Sequence, residues 1–197
     1  MRLPTITPAQ LDVRAVDSAG LPKRYLNQGE LDVLVALARS VQPSVMVEVG
    51  VNEGRTACAM LRNLPTIDRY VGIDVPPGYV TSKAVQRAEI PARPGHLARS
   101  DSRFELILRP RGSLDLEPED MPQCDVMFID GDHGAEAVTH DSLLAWRCVR
   151  SGGIVIWHDY HDRGTVDVKP VLESFAACGH DIKHVAGTWI AFERVAA

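Results

Sequence analysis

The sequence predicts an α/β protein built on a doubly wound, mostly parallel, seven-stranded sheet with an antiparallel edge hairpin. Short apolar runs rich in β-branched residues recur along the chain, bounded by turn formers, as in strands buried on both faces. Segments of helical periodicity alternate with them, the pattern of parallel strands joined by crossover helices. With 197 residues, 45% hydrophobic and 24% charged, the chain suits one domain with a full core.

Residues 1–27 hold three prolines and little periodicity, so they predict an extended arm or a short irregular helix. Packing, a homodimer contact and part of a substrate lid are all open roles for it. The domain proper is expected over 28–197. From Gln28 to Ser40, Leu31, Leu34, Val35 and Ala38 follow helical spacing, Val33 and Leu37 widen the face, and Pro43 ends it. Val45 to Val49 reads as the first strand and Tyr70 to Val75 as the second, with a helix from Thr56 between them. Pro76 to Ser102 carries four prolines, two glycines and one helical piece, Ser82 to Ala88. Such a segment at a binding edge is either a lid or a surface loop. Phe104–Arg109 and Asp125–Asp130 read as strands three and four. A helix over Ala135–Val149 follows, with Ser151-Gly-Gly153 as its C-terminal cap. Ile154–Trp157 is the fifth strand, Val168–Cys178 a further helix, and 181–185 with 188–195 the closing pair of strands.

Charge and cysteine usage exclude several classes. The formal net charge is −5 and the basic residues are scattered, which argues against nucleic acid and anionic membranes as partners. No apolar run is long enough to span a bilayer, and the N-terminus lacks a signal peptide's apolar core. The four cysteines lie far apart with no Cys-x-x-Cys pair, as expected of reduced thiols in a cytoplasmic protein.

The chemistry starts at Val45-Met-Val-Glu-Val-Gly-Val-Asn-Glu-Gly-Arg-Thr56. A strand, a glycine turn and a helix N-terminus make a site of nucleotide size, because glycine admits close backbone approach and free N–H groups face the ligand. Only Gly50 and Gly54 are present, and Glu48 precedes the first by two residues. A carboxylate there would repel a pyrophosphate but suits an ammonium or a sulfonium. Asp74, at the tip of the second strand, is placed to bond two ribose hydroxyls.

Two further strands end in polar clusters, Asp130-Gly-Asp-His133 and His158-Asp-Tyr-His161. On neighbouring parallel strands, Asp130 and Asp159 would converge beside His158 and His133. Two carboxylates and an imidazole make a divalent-cation ligand set, with His133 as a general base of near-neutral pKa. Taken singly, each of these residues fits a helix cap equally well.

The combination VEVGVNEGRT, VGID, DVMFIDGDH and LLAWRCVRSGGIVIWHDYH resembles the class I S-adenosylmethionine-dependent methyltransferases. It is most similar to the small-molecule O-methyltransferase branch with an Asp-x-Asp-His motif, over roughly residues 28–195. The resemblance implies a Rossmann-like sheet and O-methylation of a small hydroxylated acceptor: a sugar, a phenol or a natural-product intermediate. It assigns the cofactor to Glu48, Gly50, Gly54, Thr56, Asp74, Gly112 and Ser113. It makes Asp130 and His133 catalytic, and implies Mg2+ or another divalent cation held by Asp130 and Asp159. His158 and Tyr160 flank Asp159 where metal-dependent relatives carry an acid or an asparagine. His158, as a third ligand, would shift preference towards softer metals.

Two other readings compete. A nicotinamide-dependent oxidoreductase conflicts with Glu48 and with the missing third glycine. A non-catalytic cofactor-binding module is compatible with the His158 and Tyr160 departures.

Overall fold

The computed structural model describes residues 2–23, 26–81, 90–163 and 166–196; the helical piece expected over Ser82 to Ala88 lies outside the described residues. In chain order the elements are β1 (Thr5–Ile6), α1 (Gln28–Arg39), β2 (Val45–Val49), α2 (Arg55–Asn63), β3 (Arg69–Asp74), β4 (Phe104–Leu108), β5 (Cys124–Ile129), α3 (Ala135–Cys148), β6 (Val149–Trp157), α4 (Val168–Ala177), β7 (Lys183–Val185) and β8 (Ala191–Arg194). They form one sheet in the order β1-β7-β8-β6-β5-β2-β3-β4. From β6 through β4 every pairing is parallel, whereas β8 runs antiparallel to both β6 and β7.

The sheet has eight strands where the sequence predicts seven. The extra strand is Thr5–Ile6 of the N-terminal arm, which pairs in parallel with β7 and so covers the hairpin's outer edge. Two residues carry no periodicity, and only the exposed ladder groups of β7 make them a strand. A second difference concerns Ser151-Gly-Gly153. The α3 helix ends at Cys148, and the glycine pair lies within β6, at an irregularity in its pairing with β5. A Cβ on Gly153 would stand 2.7 Å from the Asp125 carbonyl oxygen, so the glycine serves close strand approach instead of capping a helix.

Alternation along the strands divides the core in two. Met46, Tyr70, Phe128 and Ile156 face α1 and α2, packing with Leu31, Leu34, Leu37 and Met60. Val47, Ile73, Met127 and Trp157 face α3 and α4, packing with Val138, Leu144 and Leu172. Burying each aliphatic side chain stabilises by about 1.5–3 kcal/mol, and Leu34→Ala in this fully buried layer would cost ~2–5 kcal/mol. Asn27 caps α1 by accepting from the Glu30 amide at 3.0 Å, while Glu30 reaches back to the Asn27 amide. The four cysteines are free thiols, and no described helix is long and apolar enough to cross a membrane.

Strand order reverses between β2 and β5, the central pair, so their carboxyl ends diverge and leave a crevice.

Candidate active site

Residues following β2, β3, β5 and β6, namely Gly50, Asp74, Asp130, His133, His158 and Asp159, line one cleft of about 150 Å³ together with Gly112 and Ser113 after β4 and Trp189 before β8. The floor is set by Gly50, whose φ is +86°. A Cβ there would stand 2.0 Å from the Asp130 carbonyl oxygen, so only glycine lets the β2 tip lie against the β5 tip. The Gly50 amide donates to the Ile73 carbonyl at 2.9 Å, and the Asp130 amide donates to the Val49 carbonyl at 2.8 Å.

Asp74 is buried at the end of β3. Its oxygens accept from the Asn52 amide at 2.6 Å and the Val75 amide at 2.7 Å. Burial pushes its pKa up to about 6, although these amides favour the charged form. Each carboxylate oxygen has a second lone pair, so Asp74 can also take two hydroxyls.

Glu48 does not line the cleft. It is buried on the α2 side of the sheet, where the Tyr70 hydroxyl donates to it at 2.8 Å. Burial, reinforced by Asp130 and Asp74, pushes its carboxyl well above the usual range, against the hydrogen bonds from Tyr70 and Thr56. Gly54 opens α2 as its N-terminal cap residue, and Thr56 lines a smaller adjoining cavity beside Gly50, Asn52, Arg55 and Asp130.

The acid–histidine cluster forms the other end. His133 Nε2 lies 2.8 Å from Asp159 Oδ2. His158 Nδ1 lies 3.4 Å from Asp130 and 3.3 Å from Asp159, and its Nε2 faces Glu30 at 3.7 Å. Burial alone would lower the His158 pKa, but the three carboxylates outweigh it and push it well above the ordinary imidazole value. Burial likewise opposes ionisation of Asp159, yet His133 and His158 hold its carboxyl far below the usual range. Asp159 sits at φ +58°, a left-handed conformation costly for a non-glycine residue that turns its side chain towards both histidines.

Among the described residues, Asp130, His133 and Asp159 each bring one ligand atom within 4.8 Å of the others, a donor set able to hold a divalent cation. His133 thus stands where the sequence reading had placed His158. The His158 ring sits between the same carboxylates, with its other nitrogen towards Glu30. Tyr160 faces the other way. Its hydroxyl donates to Glu173 at 2.8 Å and receives the Leu3 amide at 3.4 Å, tying the arm to α4.

Two residues at this end were not foreseen. Trp189, in the β7–β8 turn, lines the cleft, with the His161 ring 4.3 Å from its own and the Arg163 guanidinium 4.3 Å from its centre. Glu30 anchors that turn by accepting the Trp189 amide at 2.9 Å. The capping pattern Asn27-x-x-Glu30 signals a helix start, but nothing local signals its reach to a turn 159 positions away.

A family model described as a methyltransferase domain matches residues 47–160, and the chain belongs to that family. Its architecture is that of the class I S-adenosylmethionine-dependent methyltransferases. The O-methyltransferase TomG of Streptomyces achromogenes, solved with S-adenosylmethionine, superposes with a TM-score of 0.63 at 18% identity, covering 96% of this chain and 94% of that one. The methyltransferase PaMTH1 of Podospora anserina, solved with S-adenosylhomocysteine, gives 0.63 at 13% identity, covering 88% and 80%. A 54-residue stretch is 37% identical to an uncharacterized protein of Acanthamoeba polyphaga mimivirus. That stretch is 27% of this chain and spans only 24% of the viral protein.

Proposed function

We propose that the protein transfers the methyl group of S-adenosylmethionine to a hydroxyl of a small acceptor. The observation that carries this reading is one cleft holding Asp74 and Gly50 at one end and the Asp130–His133–Asp159 cluster at the other. The sulfonium methyl is already electrophilic, so the protein has two tasks: alignment and a deprotonated acceptor. Asp74 takes the ribose hydroxyls, the Gly50 turn lets the backbone close on the methionine part, and Gly112 and Ser113 border the adenine. His133, oriented through Nε2 by Asp159, takes the acceptor's hydroxyl proton at Nδ1. The acceptor oxygen then forms the new C–O bond as the sulfur–methyl bond breaks, leaving the thioether product. Asp159 stabilises the protonated His133, and the neighbouring His158 ring favours the ionised Asp159 in a buried setting.

The donor set also fits a divalent cation held by Asp130, His133 and Asp159. Such an ion would lower the acceptor's pKa as a Lewis acid. His133 would then be a ligand and not the base, and the two roles separate by experiment.

The test combines S-adenosylhomocysteine titration with methyl transfer to a panel of sugars, phenols and hydroxylated intermediates, each with and without chelator. Binding plus turnover on a hydroxylated acceptor is expected. Chelator-resistant turnover assigns His133 as base, whereas turnover restored by added metal assigns it as ligand. Binding with no turnover on any acceptor would instead support a non-catalytic module, and NAD binding in place of S-adenosylhomocysteine would sink the proposal.

A further inference from the structure

Glu30 does more than cap a helix. It sits in the first turn of α1 with a fractional exposure of 4%. A capping-box glutamate needs only to reach its N-cap amide, which it can do from the surface, and a carboxylate withdrawn from water must be well bonded. Among the described residues, its Oε2 takes the Asn27 side-chain amide at 2.8 Å and the Asn27 main-chain amide at 3.3 Å, while Oε1 takes the Trp189 amide at 2.9 Å. The bond that defines the capping box is the longest of these, so helix capping does not account for the burial. His158 Nε2 faces the same carboxyl at 3.7 Å, beyond hydrogen-bond reach.

The turn that Glu30 holds is otherwise closed on itself. The Val185 amide donates to the Ile190 carbonyl at 2.9 Å, and the Ile190 amide donates to the Thr188 hydroxyl at 3.0 Å. Trp189, by contrast, spends both main-chain polar groups outside the hairpin: its amide on Glu30, its carbonyl on the Tyr160 amide at 2.9 Å. Tyr160 directly follows Asp159, so Trp189 is strung between α1 and the acid–histidine cluster. Its indole lines the cleft there.

We propose that Glu30 is a positioning residue for the acceptor: by fixing the Trp189 amide it sets the indole wall beside Asp159 and His133, so that acceptor binding depends on it and cofactor binding does not. This rests on the methyl-transfer reading, which puts the acceptor at the Asp159 end and the nucleoside beside Gly112 and Ser113. Without Oε1 the Trp189 amide loses its partner, and the turn relaxes until water or another oxygen satisfies it.

The test uses the full chain labelled with fluorotryptophan and read by fluorine NMR. The chain has three tryptophans, and Trp189→Phe assigns the signal of interest. Kinetics use the acceptor turned over fastest in the sugar and phenol panel, and S-adenosylhomocysteine titration reads the cofactor side. Glu30→Ala is expected to move the Trp189 signal and raise the acceptor KM by about tenfold or more, with a smaller change in kcat and unchanged S-adenosylhomocysteine affinity. Glu30→Gln keeps an acceptor oxygen for the Trp189 amide and should restore both signal and KM. Asn27→Ala removes the cap but leaves that bond, so it should lower the melting temperature by about 2–4 °C with KM and signal unchanged. If Glu30→Ala does not fold, Glu30→Asp decides, because one methylene fewer cannot serve both the cap and the turn: a raised KM with a moved signal supports the inference, and wild-type values overturn it. In an enzyme that turns over, an unmoved Trp189 signal, an unchanged KM, or Asn27→Ala matching Glu30→Ala in every readout overturns the inference alone. Wild type that neither binds S-adenosylhomocysteine nor methylates any member of the panel overturns the methyl-transfer reading, and the acceptor role of Glu30 with it.

Discussion

Strand β5 carries an aspartate at each end, and the two live in opposite chemical settings. Asp125, near the amino end, accepts the Ser44 amide at 2.7 Å and the Val45 amide at 2.8 Å, and pairs with Arg150. Burial opposes its ionisation, but those amides and the guanidinium prevail and lower its pKa. Asp130, at the carboxyl end, faces His158 and shares its surroundings with Asp159 and His133. One strand thus holds a saturated carboxylate that fastens neighbouring strands and a second one crowded by like charge. The amino edge of the sheet is satisfied, while the carboxyl edge concentrates positive φ angles, shifted pKa values and carboxylates set against one another. Concentrated strain and shifted protonation of this kind mark sites of chemistry.

The contrast can be broken outright by Gly50→Ala. A Cβ would overlap the Asp130 carbonyl at 2.0 Å, so the β2 and β5 tips must separate. We expect a loss of about 4 kcal/mol or more and no measurable binding of S-adenosylhomocysteine. The melting temperature should fall on the order of 10 °C, read by thermal denaturation.

A finer cut is His133→Ala, which should lower turnover by ~10²–10⁴-fold while shifting the melting temperature by only about 2–4 °C. An unchanged rate on the true acceptor would remove His133 from the mechanism. Below it in size is the acid limb of cofactor binding. The Asp74 pKa is raised to about 6, so protonation below that pH withdraws the carboxylate that we propose accepts ribose hydroxyls. Affinity for S-adenosylhomocysteine should fall by up to about tenfold per pH unit on that side, and Asp74→Asn should bind weakly without that limb.

Asp125→Asn tests the other edge. It should cost ~1–3 kcal/mol at neutral pH and leave cofactor affinity unchanged. Because its folded pKa is lowered, its contribution is full above the unfolded value and fades as pH falls through the folded one. The stability gap between wild type and variant should therefore close below about pH 4 in denaturant titrations.

The central strands were legible because each is a compact apolar run ended by glycine or aspartate, and strand direction then places Gly50, Asp74, Asp130 and Asp159 on one edge. Glu48 shows where that logic needs one more step. Its position two residues before Gly50 points it at the ligand on paper. The period of two, however, puts it on the face of Met46, among residues packed against α1 and α2. Trp189 and Glu30 were illegible for a different reason. Their meeting depends on a hairpin docking against a helix from the other end of the chain, and no local pattern records it. Thr5–Ile6 escaped notice on the same grounds, since a neighbour's open ladder and not its own composition makes it a strand.

The direction of β8 has a consequence for how this scaffold can change. It runs against β6, with Ala191 opposite Trp157, so it begins at the reactive edge where its parallel neighbours finish. The turn that delivers Trp189 is therefore a short surface link, separate in sequence from every segment expected to hold the nucleoside. On the proposed methyl-transfer reading, lengthening or exchanging residues 186–189 is expected to alter the end of the cleft beside Asp159 and His133, while the residues around Gly50, Asp74 and Ser113 stay as they are. An acceptor panel and S-adenosylhomocysteine titration of the variants would read that change.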